Sequence, residues 1–462
     1  MHPMTEHRST GAKDVATHLH SYTNLAALPN TPPMVIVGGD GIHVIDDQGR
    51  RYVEGMSGLW CASLGFSNQR LADAGAKALK TLPYYHTFNQ RTNVAVADLA
   101  ERLLALAPVP MARVFFANSG SEANDSAAKM VWYYHNAIGQ PARKKIIARR
   151  NAYHGVTVAA ASMGGLDGNH RDFDLPLATT PARFLHVDCP HHYRYAEPGE
   201  TEQDFSTRLA AQLEQTILAE GPETVAAFIA EPVMGAGGVL VPPAGYFEKV
   251  QAVLRKHGVL MIVDEVICGF GRTGNMFGST TFGIEPDILT CAKALSSGYV
   301  PISAVMVNDK VHRAIAAHSG KLGSFGHGYT YSGHPVACAV ALETLKVYED
   351  ERLVEHVREL APAFQAGLQV FAGRPWVGNV RGVGLIGAIE LVADKATRTP
   401  FGVERKAGHR FAALALEEGL IVRAMGDSIG LCPPLIITQA ELDDLLARLT
   451  RAMDRFDAEL KS

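Results

Sequence analysis

Two apolar runs that each end in one ionisable side chain constrain this chain more than any other feature. Val259-Leu-Met-Ile-Val263 leads into Asp264, and Asp287-Ile-Leu-Thr-Cys-Ala292 leads into Lys293. Short runs rich in branched apolar residues, without polar alternation, read as strands covered on both faces. In an open α/β sheet the ligand site lies just beyond the carboxyl ends of such strands. An amine and a carboxylate would then face one ligand. The ordinary alternatives are a solvated lysine and a strand-end aspartate that caps a helix, and perturbed pairs also occur in structural networks.

A third run, Arg113-Val-Phe-Phe-Ala117, reads as a buried strand. Asn118-Ser-Gly-Ser-Glu122 turns it into Ala123–Tyr134, whose composition and apolar spacing suit a helix. Ser119, Gly120 and Ser121 would therefore stand at a helix N-terminus, where free N–H groups, the positive end of the dipole and two hydroxyls favour a dianion. An ordinary serine cap is the alternative. A phosphate cradle, a buried carboxylate and a buried lysine together meet the needs of pyridoxal phosphate. The lysine closes a Schiff base with the aldehyde, and the carboxylate keeps the pyridine nitrogen protonated so that the ring accepts electrons.

With these residues in this order the chain resembles the fold-type I pyridoxal-phosphate enzymes, specifically the class III aminotransferases, over nearly its whole length. The motifs are Asn118-Ser-Gly-Ser-Glu-Ala-Asn124, Tyr153-His-Gly155, Glu231-Pro-Val233, Asp264-Glu-Val266, Gly269-Phe-Gly-Arg-Thr-Gly274, Lys293 and Tyr329-Thr-Tyr-Ser-Gly-His-Pro335. Within the class it is most similar to the amine:pyruvate, or omega-, transaminases. The resemblance implies an α/β fold with a large domain built on a mainly parallel seven-stranded sheet flanked by helices, plus a smaller α+β domain. It implies Lys293 and Asp264 as catalytic residues. Ser119, Gly120, Ser121, Tyr153, His154, Glu231, Val266 and Thr330 would join these two in holding the cofactor. Tyr153 and Val266 would cover opposite faces of the ring; two residues apart on a strand, Asp264 and Val266 would point to the same side. Thr330 would reach the phosphate of a neighbouring subunit, which implies a homodimer with shared sites, or a dimer of dimers.

For the substrate pocket the resemblance points to Leu59, Trp60, Phe88, Tyr153, Ala236 and Arg423. The aromatic identities favour a flat apolar amine substituent. Arg423 matches an arginine that grips a substrate carboxylate through two parallel hydrogen bonds. Ala236 departs from the ornithine and 4-aminobutyrate transaminases, which resemble one another in carrying a glutamate there that pairs with the arginine. Its absence favours pyruvate over 2-oxoglutarate as acceptor. The expected activity is ping-pong transfer of an amino group from a primary amine or omega-amino acid to pyruvate, giving alanine. Another class III outcome, such as a 2-oxoglutarate-dependent aminotransferase, decarboxylase, racemase or aminomutase, shares Lys293 and Asp264 and stays open.

The organisation of the chain agrees. At 462 residues it exceeds the size of one core, and the expected division is 1–70 contributing to a small domain, 71–335 forming the large domain and 336–462 completing the small one. A hairpin is expected across Ile42–Val53, helices near 336–372 and 403–419, strands at 383–391 and 420–424, and a polar surface excursion at Tyr193–Ser206. A net charge of −4 leaves no footprint for nucleic acid or an anionic membrane. No run is long enough to span a bilayer, and Met1–Thr10 lacks an apolar signal core. Six scattered cysteines without a Cys-x-x-Cys pair suit free thiols and a cytoplasmic location.

Two other patterns compete. Gly269–Gly274 and Gly382–Gly387 both match Gly-x-Gly-x-x-Gly, the fingerprint of a nicotinamide oxidoreductase, but neither opens a clear helix. His186, Cys189, His191 and His192 are close in sequence, yet their spacing fits no standard zinc pattern. They are expected to form a polar surface loop, and no metal is assigned.

Overall fold

The computed structural model describes residues 9–176 and 183–461; the stretch Met1–Arg8, read above for a signal core, lies outside them. The first strands are β1 (Ile36–Asp40), β2 (His43–Asp46) and β3 (Arg51–Glu54), joined as antiparallel neighbours. The expected hairpin turn is fixed by Asp46, whose carboxylate accepts the N–H groups of Gln48 and Arg50 at 3.0 and 2.9 Å. This is how Asp side chains stabilise turns.

The central sheet uses β4 (Arg113–Ala117), β5 (Lys145–Arg149), β6 (Phe184–Val187), β7 (Val225–Ala230), β8 (Leu260–Asp264), β9 (Ile288–Cys291) and β10 (Ser303–Val307), in the order β4-β10-β9-β8-β7-β5-β6. The pairs β5–β6, β5–β7, β7–β8 and β8–β9 are parallel, and β10 alone runs antiparallel to both its neighbours. Every residue of β7 and β8 is buried, because helices cover both faces. Alternation sorts the side chains. Ala227, Ile229, Leu260 and Ile262 pack toward the helix Gly120–Ala137, while Phe228, Ala230, Met261 and Val263 pack toward the helices Glu202–Glu220 and Tyr246–His257. Asp264 continues the first series, and this parity aims it at the N-terminal end of Gly120–Ala137.

The C-terminal third contributes β11 (Val377–Val383), β12 (Ile386–Leu391), β13 (Leu420–Ile421), β14 (Arg423–Met425) and β15 (Ser428–Leu431). β11, β12, β15 and β14 form an antiparallel sheet, whereas β13 joins β3 in parallel, Leu420 opposite Val53. Several expected elements are divided. The helix expected over 336–372 is Pro335–Asp350 followed by Leu353–Gln369, separated at Arg352 with φ 51°. The helix expected over 403–419 is confined to Ala407–Glu417, preceded by a 3-10 turn and by Lys406 with φ 47°. The strand expected at 383–391 is a hairpin bent at Gly384, φ 57°, and the run 420–424 serves two different sheets. A left-handed residue stops a helix without any proline in the sequence, so the apolar pattern ran on across each break.

Tyr193–Ser206 is more than a surface excursion. It contains the helical turn His192–Tyr195 and the start of Glu202–Glu220, with Phe205 and Ser206 buried. Arg194 pairs with Glu390 on β12, and Arg381 on β11 pairs with the same carboxylate. Arg381 also donates to the carbonyls of Gly238 and Val239, so it ties the C-terminal sheet to the loop after β7. Burial pushes the Glu390 carboxyl up, but Arg381, His191 and Arg194 outweigh burial and hold it below the usual carboxylate range. Replacing Glu390 by Ala leaves two guanidinium groups facing each other and is expected to cost about 3–5 kcal/mol, read as a lower apparent Tm. Because the folded-state pKa is depressed, the difference between wild type and Glu390→Gln should be present at neutral pH. It should fade on acidification through the lowered pKa.

Candidate active site

Lys293, Asp264, Glu231, Tyr153, His154, Gly120 and Ser121 line one cavity at the carboxyl ends of β7, β8 and β9, together with Asn124, Gly155, Val266 and Ile267. Asp264 is buried among them, only 4% exposed. Its Oδ2 accepts from Asn124 Nδ2 at 2.8 Å and lies 2.8 Å from His154 Nδ1, and its Oδ1 accepts the Val266 N–H at 3.1 Å. Asn124 is fixed in turn, donating to the His154 carbonyl and accepting from Thr290 Oγ1 on β9. Val266 lies beyond the end of β8, so it shares the cavity with Asp264 through a turn and not through strand alternation.

Lys293 opens a 3-10 turn directly after β9, with φ 47°. A non-glycine residue in this region is strained, and such strain persists where the surroundings over-determine it. Burial drives the amine's pKa down, opposed by Cys61, Asp264 and Glu231. A lysine shifted this way is more often neutral, and so more nucleophilic and more basic toward carbon acids, than one in water. Glu231 is raised by burial, with its two oxygens accepting the N–H groups of Tyr153 at 3.1 Å and Gly235 at 3.0 Å. It braces the Tyr153 loop against the loop after β7.

At the anion end, the helix Gly120–Ala137 begins where expected. Ser119 is its N-cap: its Oγ accepts the Glu122 N–H at 3.2 Å, and Ser119 does not line the cavity. Ser119 therefore caps the helix, while Gly120 and Ser121 line the cavity. Among the described residues their N–H groups have no backbone or side-chain acceptor. Ser121 Oγ accepts the Val156 N–H at 3.0 Å, which orients the hydroxyl's proton elsewhere. Side-chain atoms at Gly155, φ 133°, would come within 2.5 Å of Ser121 Oγ, and at Gly120 within 3.1 Å of Val266. The glycines keep open a slot between Tyr153, Val266 and the helix end, which fits a flat ring carrying a phosphate.

The substrate-side residues divide into two sets. Trp60 is buried, with φ 64°, in a cluster that includes Ile267, and its ring lies over Gly430, the β15 partner of Arg423. Arg423 opens β14, and no ion pair engages it among the described residues. Burial pushes the Tyr153 phenol up, and the charge of Arg423 opposes this weakly, although Arg423, like Trp60 and Ala236, does not line the cavity itself. Ala236 lies in the loop after β7, partly buried, between Gly235, which abuts Ile267, and Gly237, which abuts Asn151. Leu59, Phe88 and Thr330 are exposed and do not line this chain's cavity. Phe88 packs on Gly328, and Tyr84 donates to the Thr330 carbonyl at 2.9 Å, so these two share one surface.

Two residues of the site had no assigned role in the sequence. Asn124 stands four residues after Gly120, one helical turn along the same face, and that spacing was the available signal. Tyr22 reaches Tyr153 from the N-terminal arm and donates to Asn169 Oδ1 at 3.0 Å; no local pattern announces it. The competing motifs resolve on geometry. Gly269–Gly274 runs from β8 through irregular turns, and Gly382–Gly387 spans the β11–β12 hairpin, so neither is a strand–loop–helix unit. His186 bonds to the carbonyls of Met163 and Gly164, His192 to that of Glu200, and Cys189 and His191 are buried. The four do not converge as metal ligands, and the segment is not the polar surface loop expected.

Fold and cavity define a fold-type I pyridoxal-phosphate enzyme. The chain belongs to the class III aminotransferases, whose family pattern matches residues 26–453. It is 52% identical over 434 residues to gamma aminobutyrate transaminase 1, mitochondrial, of Solanum lycopersicum, covering 93% of this chain and 84% of that one. It is 51% identical to vanillin aminotransferase of Capsicum frutescens, covering 93% and 94%. The crystal structure of the omega transaminase from Pseudomonas jessenii in complex with PMP superposes with a TM-score of 0.95 at 55% identity, over 97% of this chain and 98% of that one. The enzyme is thus a pyridoxal-phosphate-dependent aminotransferase acting on amine and keto-acid small molecules. Lys293→Ala is expected to retain pyridoxal phosphate while turnover falls at least about 10²–10⁴-fold, the usual worth of a positioned acid–base group. Cofactor content and steady-state rate measure this, and full activity in the variant would remove Lys293 from the chemistry.

Proposed function

We propose that the enzyme is an omega-transaminase that moves an amino group from an apolar primary amine or an omega-amino acid to pyruvate. The observation behind the acceptor choice is Arg423 at the start of β14, opposite Gly430 beneath the Trp60 ring, with no described carboxylate paired to it. Ala236 offers no acid to occupy it. An unengaged guanidinium is available to a keto acid in each turnover, without first breaking an internal ion pair. The names of the relatives support an omega-amino acid as donor, from the 4-aminobutyrate enzyme, and a pocket that admits an aromatic carbonyl compound, from the vanillin enzyme.

Pyridoxal phosphate, when bound, supplies the carbonyl that carries the amino group and the ring that draws electrons from the substrate carbon. In this proposal Ser119, Gly120 and Ser121 would hold the phosphate, Tyr153 and Val266 would cover the ring, and Asp264 would keep the pyridine nitrogen protonated. His154 and Asn124 position Asp264. The amine of Lys293 takes the proton from the substrate carbon and returns it on the cofactor side. Trp60 and Tyr153 favour a flat apolar substituent over a hydrated one, and Arg423 orients the carboxylate of the acceptor or of an omega-amino acid.

Thr330 and Phe88 would act on the site of a second copy. Their exposed surface, with Tyr84 and Tyr331 in edge contact beside them, supports a homodimer with shared sites. The parallel β3–β13 pairing supports a small domain built from residues 1–70 and 336–462 around a large domain of 71–335. Six unpaired thiols support a cytoplasmic location.

Visible absorption of the holoenzyme tests the proposal. Adding 1-phenylethylamine should bleach the cofactor's long-wavelength band, and pyruvate should restore it faster than 2-oxoglutarate does. Equal recovery with 2-oxoglutarate overturns the acceptor choice, and a band indifferent to the amine overturns the apolar donor. Arg423→Ala removes a charge-assisted hydrogen-bonding group worth about 1.5–3 kcal/mol. The KM for pyruvate should rise about 10- to 100-fold, with that for a carboxylate-free amine nearly unchanged; equal effects on both would refute the role.

A further inference from the structure

The N-terminal arm carries a cluster that the transamination site does not use. The helix Thr10–Thr17 is capped by Ser9, whose Oγ accepts the Ala12 N–H at 3.3 Å, and places Asp14 one turn before His18. His18 Nδ1 lies 3.0 Å from Asp14 Oδ1. The chain then folds back so that His20 Nε2 contacts Asp14 Oδ2, the other oxygen of the same carboxylate. The imidazole rings are 4.5 Å apart at 40°. One ligand atom from each of the three side chains lies within 4.8 Å of the others. Asp14 and His20 are mostly covered, 28% and 18% exposed at the side chain, and His18 is open at 62%. No lysine or arginine pairs with Asp14 among the described residues.

We propose that Asp14, His18 and His20 bind one divalent transition-metal ion of the zinc class. Metal–nitrogen and metal–oxygen bonds of about 2.0–2.2 Å set neighbouring ligand atoms about 3.3 Å apart in a tetrahedron. The present separations therefore need only small side-chain adjustment. Two imidazoles and a carboxylate suit zinc, nickel, cobalt or copper, whereas calcium and magnesium prefer all-oxygen sites. The two ring nitrogens that face the carboxylate would turn lone pairs to the ion, their protons released or held on the other ring nitrogen. The fourth position opens to solvent on the exposed His18 side.

The ion would also restrain the arm. Tyr22, two residues beyond His20, reaches Asn169 and Tyr153, so fixing His20 limits the positions open to the phenol over the cavity. The ligands span the turn between the helix and Tyr22, and ordering that turn in advance lowers the entropy lost when Tyr22 docks.

The test uses holoenzyme cleared of metal by chelation and dialysis, then titrated with zinc chloride against a chromophoric chelator. One equivalent per chain should bind with a micromolar or lower Kd, weakening at least tenfold in both H18A/H20A and D14N. Zinc should also slow tryptic cleavage after Lys13 in the wild type and not in the variants. No binding by the wild type at 100 μM zinc overturns the proposal. So does a loss of less than tenfold in D14N, since the ion would then be held by other histidines or thiols. Circular dichroism of D14N, the milder change, shows that any loss is not unfolding.

Discussion

A buried carboxylate at the end of a buried strand is the constraint on which the rest of the site depends. Taking Asp264 out of water costs several kcal/mol unless hydrogen bonds replace those of the solvent. Asn124, His154 and the Val266 N–H provide them. Each comes from a different part of the chain: the helix after β4, the loop after β5 and the turn after β8. Satisfying one carboxylate therefore locks three segments around the same cavity. Thr290, holding Asn124 from β9, extends the lock to the strand that leads into Lys293.

That network explains how the surrounding backbone tolerates strain. Lys293 and Trp60 both have positive φ, with values of 47° and 64°, a conformation L-residues adopt at some cost. Strain of this size survives only where neighbouring contacts leave no lower-energy alternative. Burial also makes Lys293 easier to deprotonate, so the fold that strains the residue activates it. Farther out, the pairing of Arg194 and Arg381 with Glu390 holds the small-domain sheet to the loop after β7. The loop that follows Glu231 and Ala236 is thereby set against Ser428 of β15.

Much of this was legible from the residues alone. The strands at 113–117, 260–264 and 288–291 announced themselves through continuous apolar runs, because both sheet faces are covered. The cavity residues Lys293, Asp264, Gly120, Ser121, Tyr153, His154, Glu231 and Val266 are brought together as the motifs implied. Failures occurred where a single backbone torsion decided the outcome. Arg352, Lys406 and Gly384 interrupt apolar patterns that look continuous. Ser119 caps the helix through its bond to the Glu122 N–H, a role that its sequence context shares with phosphate binding.

By itself, the sequence determined the class of chemistry, because an amine, a carboxylate and an anion cradle must each follow a strand that apolar patterning identifies. Tertiary structure decided which groups hold those residues and which remain free. Asn124 reaches Asp264 across 140 residues, and Tyr22 reaches Asn169 across 147. It also decided that Phe88 and Thr330 are exposed on their own chain while Arg423 stands opposite Gly430, beneath the Trp60 ring. Patterning reports which way a side chain points relative to its own strand or helix. Which distant side chain it meets depends on how the elements pack.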